Sequence, residues 1–366
     1  MKNTALYALL RLQSCKKIGA KTARRLLAAV GSPELIFKEK KATLLKIPGI
    51  GPQLVYELYQ PEARRKADEE LRYLSKNRYR TLTLLDADYP KLLKHCTDGP
   101  IVLFTDGNLA WNTQRIIAIV GTRRGTASGR EFCNQLIEAL APFQPIIVSG
   151  FAYGVDICAH RAAISQQLPT IAILAHGMET LYPKSHKPYV ETINNNGGFI
   201  TEFFHYELPC REHFIKRNRI IAGITAATVV IESAAKGGAL LTADFAHGYQ
   251  REVFAVPGRP CDLYSSGCNQ LIKNQKARML TCVDDIAREL MWNKANTPQQ
   301  IPLPTQLAPN EKKLIVQMKT SGKIDLDSLA ISTELPVQEV ASLLIQLELQ
   351  GHVRSLPGKL FEHVQH

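Results

Sequence analysis

From residue 115 to residue 290, short apolar segments alternate with amphipathic ones, and this alternation constrains the fold more than any other feature. The apolar segments are rich in isoleucine, valine and alanine, which is typical of strands buried on both faces of a sheet. The predicted strands cover residues 116–120, 146–149, 170–174, 199–201, 228–232 and 252–256. The predicted helices cover residues 128–140, 155–165, 186–194, 217–224, 240–249 and 283–290.

Strands that alternate with helices in this way predict an α/β fold. The helices cover both faces of a parallel sheet, and the crossovers are right-handed. We therefore predict an extended Rossmann-like, doubly wound domain over residues 81–295. Ligands of such sheets bind at the carboxyl ends of the strands, so the loops that follow the strands are the candidate site.

The loop after the first of these strands contains Gly121, Thr122, Arg123 and Arg124. A small-residue loop between a strand and a helix can bind a phosphate through its backbone N–H groups. It lacks the G-x-G-x-x-G spacing, and no acidic residue ends the second strand, so a dinucleotide cofactor is disfavoured and none is expected. The two arginines suit the phosphates of a nucleic acid. A tight turn that merely exposes them is the alternative.

The loop after the second strand begins at Ser149 and contains Gly150 and Gly154, which allow close approach of another backbone. Phe151 and Tyr153 in the same loop are candidates for stacking on bases.

Asp156 and His160 follow, four residues apart on one face of a helix. Such a pair can act as an acid and a base. The favoured interpretation is that Asp156 organises the loop and His160 bonds to it.

Residues 214–223 place Lys216, Arg217 and Arg219 around Asn218, directly before an apolar turn. Cations at the start of a helix that packs into a core predict a polyanion site, and a charged helix start that only aids solubility is the alternative. Two further loops follow strands at the same edge of the predicted sheet. One contains Lys184 and the other contains Gly238.

The flanking segments differ in charge. Residues 1–80 carry 18 Lys/Arg and 7 Asp/Glu of a chain with net charge +12, which favours a nucleic-acid partner. They are predicted to be helical, with a helix-hairpin-helix-like turn around Gly49 and Gly51 and a charged connector helix over 62–79. That turn can contact a phosphate or serve only as part of a helix bundle.

After a proline-containing linker at 296–309, residues 310–366 predict two or three helices followed by a hairpin, as in a winged helix. This segment carries 6 Lys/Arg and 7 Asp/Glu, so DNA binding and a protein-protein role both stay open.

Two further features bound the class of protein. No apolar run approaches the roughly 18–20 residues that span a membrane, and no secretory signal is recognisable, so we expect a cytoplasmic protein.

Eight cysteines occur without a C-x-x-C pair, and reduced, mostly buried thiols are expected.

Several motifs occur together in a specific order and resemble the DNA-processing protein A family (DprA, also called Smf) over about residues 85–285. They are Gly121-Thr122-Arg123, the block 149–160, Tyr182-Pro183, the block 217–223, the block 237–243, the block 253–258 and the block 267–272. The helical head and winged-helix tail also fit longer members of that family.

The resemblance implies a protein without enzymatic activity. It implies binding of single-stranded DNA in a basic pocket, protection of incoming DNA, loading of the RecA recombinase during natural transformation, and a homodimer formed through the Rossmann-like domain. The implied DNA-binding residues are Gly121, Thr122, Arg123, Ser149, Gly150, Gly154, Lys184, Arg217, Asn218, Arg219 and Gly238. Arg123, Arg217 and Arg219 are expected to converge on one rim of the sheet.

Two alternatives belong to other classes. A Rossmann-like nucleotide hydrolase carries a P-G-G-x-G-T-x-x-E signature, but the nearest match, residues 236–242, has no following glutamate. A DNA glycosylase built on the helical head needs a catalytic Asp or Lys in a pocket shortly after the hairpin, but Asp68 falls on the charged connector helix.

Overall fold

The protein is described by a computed structural model that covers residues 2–108, 115–293, 308–349, 352–356 and 360–363. The chain separates into two compact units, Met1–Ala295 and Asn296–His366. Among the described helices, none combines the length and apolarity needed to cross a membrane.

The first unit joins a helical head to an α/β sheet. Its helices are α1 (Lys2–Ser14), α2 (Ala20–Val30), α3 (Pro33–Ile36), α4 (Lys41–Leu44), α5 (Pro52–Leu58), α6 (Pro61–Lys76), α7 (Lys91–Lys94), α8 (Ala127–Leu140), α9 (Val155–Ser165), α10 (Val190–Asn195), α11 (Arg211–Ile224), α12 (Gly238–Gly248), α13 (Ser266–Lys273) and α14 (Val283–Glu289). Its strands are β1 (Arg80–Thr83), β2 (Val102–Gly107), β3 (Ile116–Val120), β4 (Ile146–Ser149), β5 (Thr170–Ile173), β6 (Gly197–Thr201), β7 (Ala227–Val230), β8 (Glu252–Ala255) and β9 (Arg278–Met279).

Within the described residues these nine strands form one sheet in the order β1-β2-β6-β5-β4-β3-β7-β8-β9. Every pair from β6 to β9 is parallel, whereas β1 and β2 add an antiparallel edge. The predicted doubly wound parallel sheet is confirmed. After β3 the chain proceeds to β4 on one side of it, and β7 later lies on the other side, so the direction of winding changes between β3 and β7.

The central strand β3 shows why its sequence is continuously apolar. All five of its side chains are buried, and they alternate between the two faces of the sheet. Ile116, Ala118 and Val120 pack into the core that contains α11 and α12. Ile117 and Ile119 pack into the core that contains α8 and α9. Both faces of this strand are therefore covered, as its composition predicts.

Two predicted helices differ from those in the structure. The helix predicted to start at Arg217 begins at Arg211, directly after Pro209-Cys210, so residues 216–219 lie inside it and not at its start. The helix predicted over 186–194 is a 3₁₀ helix, Lys184–Tyr189, followed by α10, because Pro188 has no N–H to donate in a regular helix.

The helical head packs directly on the sheet. Side chains from α1, α2 and α5 share one apolar core with Val102 and Phe104 of β2. The predicted connector helix ends at Lys76 and packs along α1. Its Glu70 is buried and accepts hydrogen bonds from the backbone N–H and the Nδ1 of His205, so α6 ties the head to the segment after β6.

Part of the positive charge of the head is structural. The Arg24 guanidinium donates to the carbonyl oxygens of Gly99 and Lys94, at 2.8 Å each. Arg11 is buried, donates to the carbonyl of Leu58 and lies 3.8 Å from the ring centroid of Phe37. Because these two arginines bind groups of the protein itself, fewer cations of the head are accessible to a nucleic acid than its composition indicates.

The second unit is a winged helix, as predicted. It contains α15 (Pro309–Ser321), α16 (Leu326–Thr333) and α17 (Val337–Leu349), with a three-stranded sheet of β10 (Ile324–Asp325), β11 (Val353–Leu356) and β12 (Leu360–His363). Leu314, Leu329 and Leu344, one from each helix, form its core. Residues 296–307 of the predicted linker lie outside the described residues.

Candidate functional site

A cleft of about 960 Å³ opens at the carboxyl ends of β3 and β7. This is the point where the winding direction of the sheet changes, which is where doubly wound sheets bind their ligands. Three segments supply most of its lining, namely residues 120–123 at the end of β3, residues 234–242 after β7, and one face of α11. We call this space the rim cleft.

The face of α11 that lines the rim cleft contains Arg211, Phe214, Asn218 and Ile221. These residues are three or four apart, so they follow one side of the helix. Asn218 donates through Nδ2 to the carbonyl of Gly238, at 3.4 Å, and so connects α11 to the start of α12. The rim cleft thus has a rigid helical wall.

Arg217 lies at the floor of the rim cleft and is buried. Its guanidinium donates to the carbonyl of Gly150, at 2.6 Å, and to that of Ile173, at the ends of β4 and β5. Burial lowers its pKa to about 10, so it stays charged at neutral pH. Burial also raises the pKa of the neighbouring Asp156 carboxyl, and the charge of Arg217 opposes that rise. Arg217 therefore holds two strand ends to α11.

Arg219 does not belong to the rim cleft, and the expectation that three arginines converge there was wrong. It is buried and donates to the carboxylate of Glu202 and to the carbonyl of Asp98. Lys216 lies 3.3 Å from the same carboxylate. Residues two apart in a helix point about 200° apart, so Arg217 and Arg219 must face opposite sides.

The cations that line the rim cleft and are exposed are Arg123, Arg211 and Lys236. The Arg123 guanidinium lies 4.6 Å from the ring centroid of Phe214, which is a cation–π contact. Asp244 also lines the cleft, but its carboxylate accepts from Lys276 at 2.8 Å. The exposed charged side chains that line the rim cleft are therefore mainly basic.

The start of α12 also opens on the rim cleft. Gly238 is exposed, and the space where its Cβ would stand has no atom within 4 Å. Helix α12 has 11 residues and begins at this open position, so the positive end of its dipole faces the rim cleft.

The loop after β3 is held by Glu232. The carbonyl of Glu232 accepts from the Thr122 N–H at 2.8 Å. Its carboxylate accepts from the Thr126 N–H at 2.9 Å and from the Thr126 hydroxyl at 2.5 Å. The prediction that backbone N–H groups of this loop bind a phosphate was wrong at the start of α8. The Glu232 carboxylate already accepts from the Thr126 N–H there.

Three other predicted site residues support the floor of the rim cleft. Ser149 is fully buried and donates to the carbonyl of Ile119 at 2.6 Å. A Cβ at Gly150 would lie 2.5 Å from Nη2 of Arg217. Gly154 has φ of +78°, and a Cβ there would lie 2.2 Å from the carbonyl oxygen of Thr122. Both glycines are therefore required for close packing.

Lys184 and the two predicted stacking aromatics lie outside the lining. Lys184 is exposed at the start of the 3₁₀ helix, next to Tyr182, which does line the rim cleft. Phe151 is buried against Phe199 and was wrongly expected to stack on bases, whereas Tyr153 is exposed.

Asp156 and His160 are not an acid-base pair. Asp156 accepts from the Ala152 N–H at 3.3 Å and organises the loop, as expected. His160 bonds through Nδ1 to the hydroxyl of Thr170 at 2.7 Å and not to Asp156, so that part of the prediction was wrong. Burial lowers the pKa of His160 to about 3, which keeps it neutral.

Sequence reasoning missed four residues that shape the site, namely Arg211, Phe214, Glu232 and Lys236. The spacing of Arg211, Phe214 and Asn218 at three and four residues was a usable signal, but the misplaced start of α11 hid it. Nothing local to Glu232 indicates that its partner, Thr126, lies 106 residues earlier.

The comparisons with known proteins agree with this architecture. Residues 80–291 match the family described as DNA recombination-mediator protein A, residues 298–359 match the DprA winged helix domain, and residues 9–60 match a SAM-like helix-hairpin-helix tandem. The chain belongs to the DprA family. The expected DprA/Smf membership and the expected head and tail domains are confirmed.

Individual DprA proteins cover most of the chain. A putative DNA processing protein DprA of Mycobacterium tuberculosis is 31% identical over 317 residues, which is 81% of each chain. The X-ray structure of DprA from Streptococcus pneumoniae is 29% identical, with a TM-score of 0.67 over 79% of this chain and 98% of that one. DNA processing protein A from Helicobacter pylori, whose structure concerns a single-stranded DNA binding mode, is 27% identical, with a TM-score of 0.54 over 60% of this chain and 99% of that one.

The geometry predicts that Arg217 and Arg123 contribute differently to stability. Arg217→Met leaves two buried carbonyls and the Asp156 carboxylate without their cation, so we expect the free energy of unfolding to fall by about 3–5 kcal/mol. The matched change Arg123→Met removes an exposed cation from one ring, and we expect a loss below about 1 kcal/mol. Urea unfolding monitored by circular dichroism measures both, and equal losses would contradict the assignment.

Proposed function

We propose that this protein binds single-stranded DNA in the rim cleft, without chemical catalysis. The observation that carries this proposal is the set of exposed cations Arg123, Arg211 and Lys236 around the open start of α12. Cations and the N-terminal end of a helix bind phosphates. The likeness to the Helicobacter pylori protein supports the same ligand.

The predicted site residues divide into two roles in this proposal. Residues at the surface contact the strand, and buried residues shape the floor beneath it. The contacting residues are Gly121, Thr122, Arg123, Lys184, Asn218 and Gly238. The supporting residues are Ser149, Gly150, Gly154 and Arg217, whereas Arg219 lies outside the rim cleft and anchors the opposite side of α11. Contacts of this kind go mostly to phosphates, so sequence preference is weak.

The proposal predicts a specific response to salt. For single strands, the logarithm of the affinity falls by about 0.7 per tenfold rise in salt for each neutralised phosphate. Arg123→Ala and Lys236→Ala should each weaken binding to all sequences and reduce that slope by about 0.7. Lys273→Ala, which removes an exposed cation of α13 outside the rim cleft, should leave both unchanged. Filter binding of an oligothymidine at several salt concentrations measures this, and a flat salt response of the unchanged protein would rule the proposal out.

We propose further that the protein acts in the cytoplasm, where it protects incoming strands and loads the RecA recombinase onto them during natural transformation. The description of the family as recombination mediators supports this. In a strand-exchange assay on DNA coated with single-strand-binding protein, the unchanged chain and Lys273→Ala should shorten the lag before RecA acts. Arg123→Ala should not. No stimulation by a chain that binds DNA normally would contradict the RecA role.

The proposed working form is a homodimer through the sheet domain. Among the described strands β9 is the outermost parallel one, so no described strand pairs with its outer edge, and Met279 on it is 54% exposed. Met279→Lys should yield monomers in sedimentation equilibrium, because it places a charge in the apolar contact. Met291→Lys, at a methionine 86% exposed outside this strand, should leave a dimer. A monomeric unchanged chain at micromolar concentration would refute the dimer.

A further inference from the structure

We propose that Glu232 is a positioning residue for DNA binding. Its carboxylate is the internal anion that holds the Arg123 loop, residues 122–126, in the orientation that the rim cleft requires. This inference rests on the proposed function, because the cation it positions is the one assigned to a phosphate. Glu232 itself does not line the rim cleft, so it acts through the loop.

The first observation is that Glu232 holds both ends of the loop. Its carbonyl oxygen accepts from the Thr122 N–H at 2.8 Å. Its two carboxylate oxygens accept from the N–H and the hydroxyl of Thr126, at 2.9 and 2.5 Å. Arg123 and Arg124 are exposed between these two anchors. Glu232, in the loop after β7, therefore restrains the chain on both sides of Arg123. The Val155 N–H, which donates to the carbonyl of Thr122, and the Arg130 guanidinium, which donates to that of Gly125, also hold this loop.

The second observation is that the packing around the carboxylate is close. A Cβ at Gly129 would lie 2.3 Å from the Cδ atom of Glu232, so the helix start needs glycine there to admit the carboxylate. The Thr126 hydroxyl also accepts from the Gly129 N–H at 3.0 Å. The carboxylate thus lies at the positive end of the 14-residue helix α8, where a negative charge is stabilised.

The third observation concerns what the loop presents. The Arg123 guanidinium lies over the ring of Phe214 on the opposite wall of the rim cleft, at 4.6 Å from its centroid. A long cationic side chain reaches one such position only if its backbone is fixed. The N–H and the hydroxyl of Thr126 each donate to one oxygen of the Glu232 carboxylate. A glutamine amide has only one oxygen that accepts, and its NH₂ group donates. Glu232→Gln therefore keeps the size but removes the negative charge. The bond to the Thr126 N–H loses its charged acceptor, and in the bond to the Thr126 hydroxyl the hydroxyl must accept instead of donate.

The first test does not depend on DNA. Trypsin cleaves after exposed arginines in mobile segments. Glu232→Gln should therefore raise the rate of cleavage after Arg123 and Arg124 by about tenfold, because both bonds to Thr126 lose their charged partner. Glu131→Gln is the matched control, because it makes the same change at an exposed position of α8. It should leave the cleavage rate unchanged. Equal rates for all three chains would overturn the proposal.

The second test couples Glu232 to Arg123. Glu232→Gln should weaken oligothymidine binding by about tenfold and reduce the salt slope. In an Arg123→Ala background the same change should have no further effect, since the cation it positions is gone. If the losses of binding free energy from Glu232→Gln and Arg123→Ala were additive in the double variant, Glu232 would have only a general structural role, and the proposal would be overturned.

A milder pair of variants covers the case in which Glu232→Gln does not fold. Thr126→Ala removes one donor to the carboxylate and should raise trypsin cleavage, whereas Thr126→Ser keeps both donors and should not. Identical cleavage of these two variants would overturn the proposal. If the unchanged protein does not bind oligothymidine, the proposed function fails, and the cleavage rates still decide whether Glu232 holds the loop.

Discussion

The guanidinium of Arg217 is buried where two strands end, and the shape of the rim cleft depends on it. A charge in the interior is tolerated only when its donors are satisfied and an opposite charge is close. The carbonyls of Gly150 and Ile173 supply acceptors, and Asp156 supplies the neighbouring negative charge. Because these partners come from β4, β5 and α9, the single side chain fixes their ends relative to α11.

The other face of the same helix is anchored by a second buried charge. Arg219 pairs with Glu202, whose backbone carbonyl accepts from the Gln13 amide at 2.7 Å. This connects α11 through the end of β6 to helix α1 of the head. A helix held on both sides presents Phe214 and Asn218 to the rim cleft with little freedom. The arginines inside α11 are thus structural, and the exposed cations that remain for a ligand come from the loops and the first turn.

The apolar periodicity predicted most of the sheet, because strands buried on both faces must be apolar throughout, as β3 is. It also predicted that the loops after β3 and β7 would meet at one edge. It did not find the start of α11, because the charged first turns, 211–219, lack the continuous apolar pattern of residues 220–224.

The residues alone determined the fold class, the family and the position of the site at the carboxyl ends of the strands. Each of these follows from local patterns and from the order of motifs. Only the tertiary structure decided which cations are free, because an arginine is exposed or buried according to partners that are distant in sequence. Arg217 is buried and donates to the carbonyl of Gly150, 67 residues away, whereas Arg123 is exposed and lies against the ring of Phe214. Identical side chains in neighbouring motifs therefore have opposite roles, and nothing in their local sequence distinguishes them.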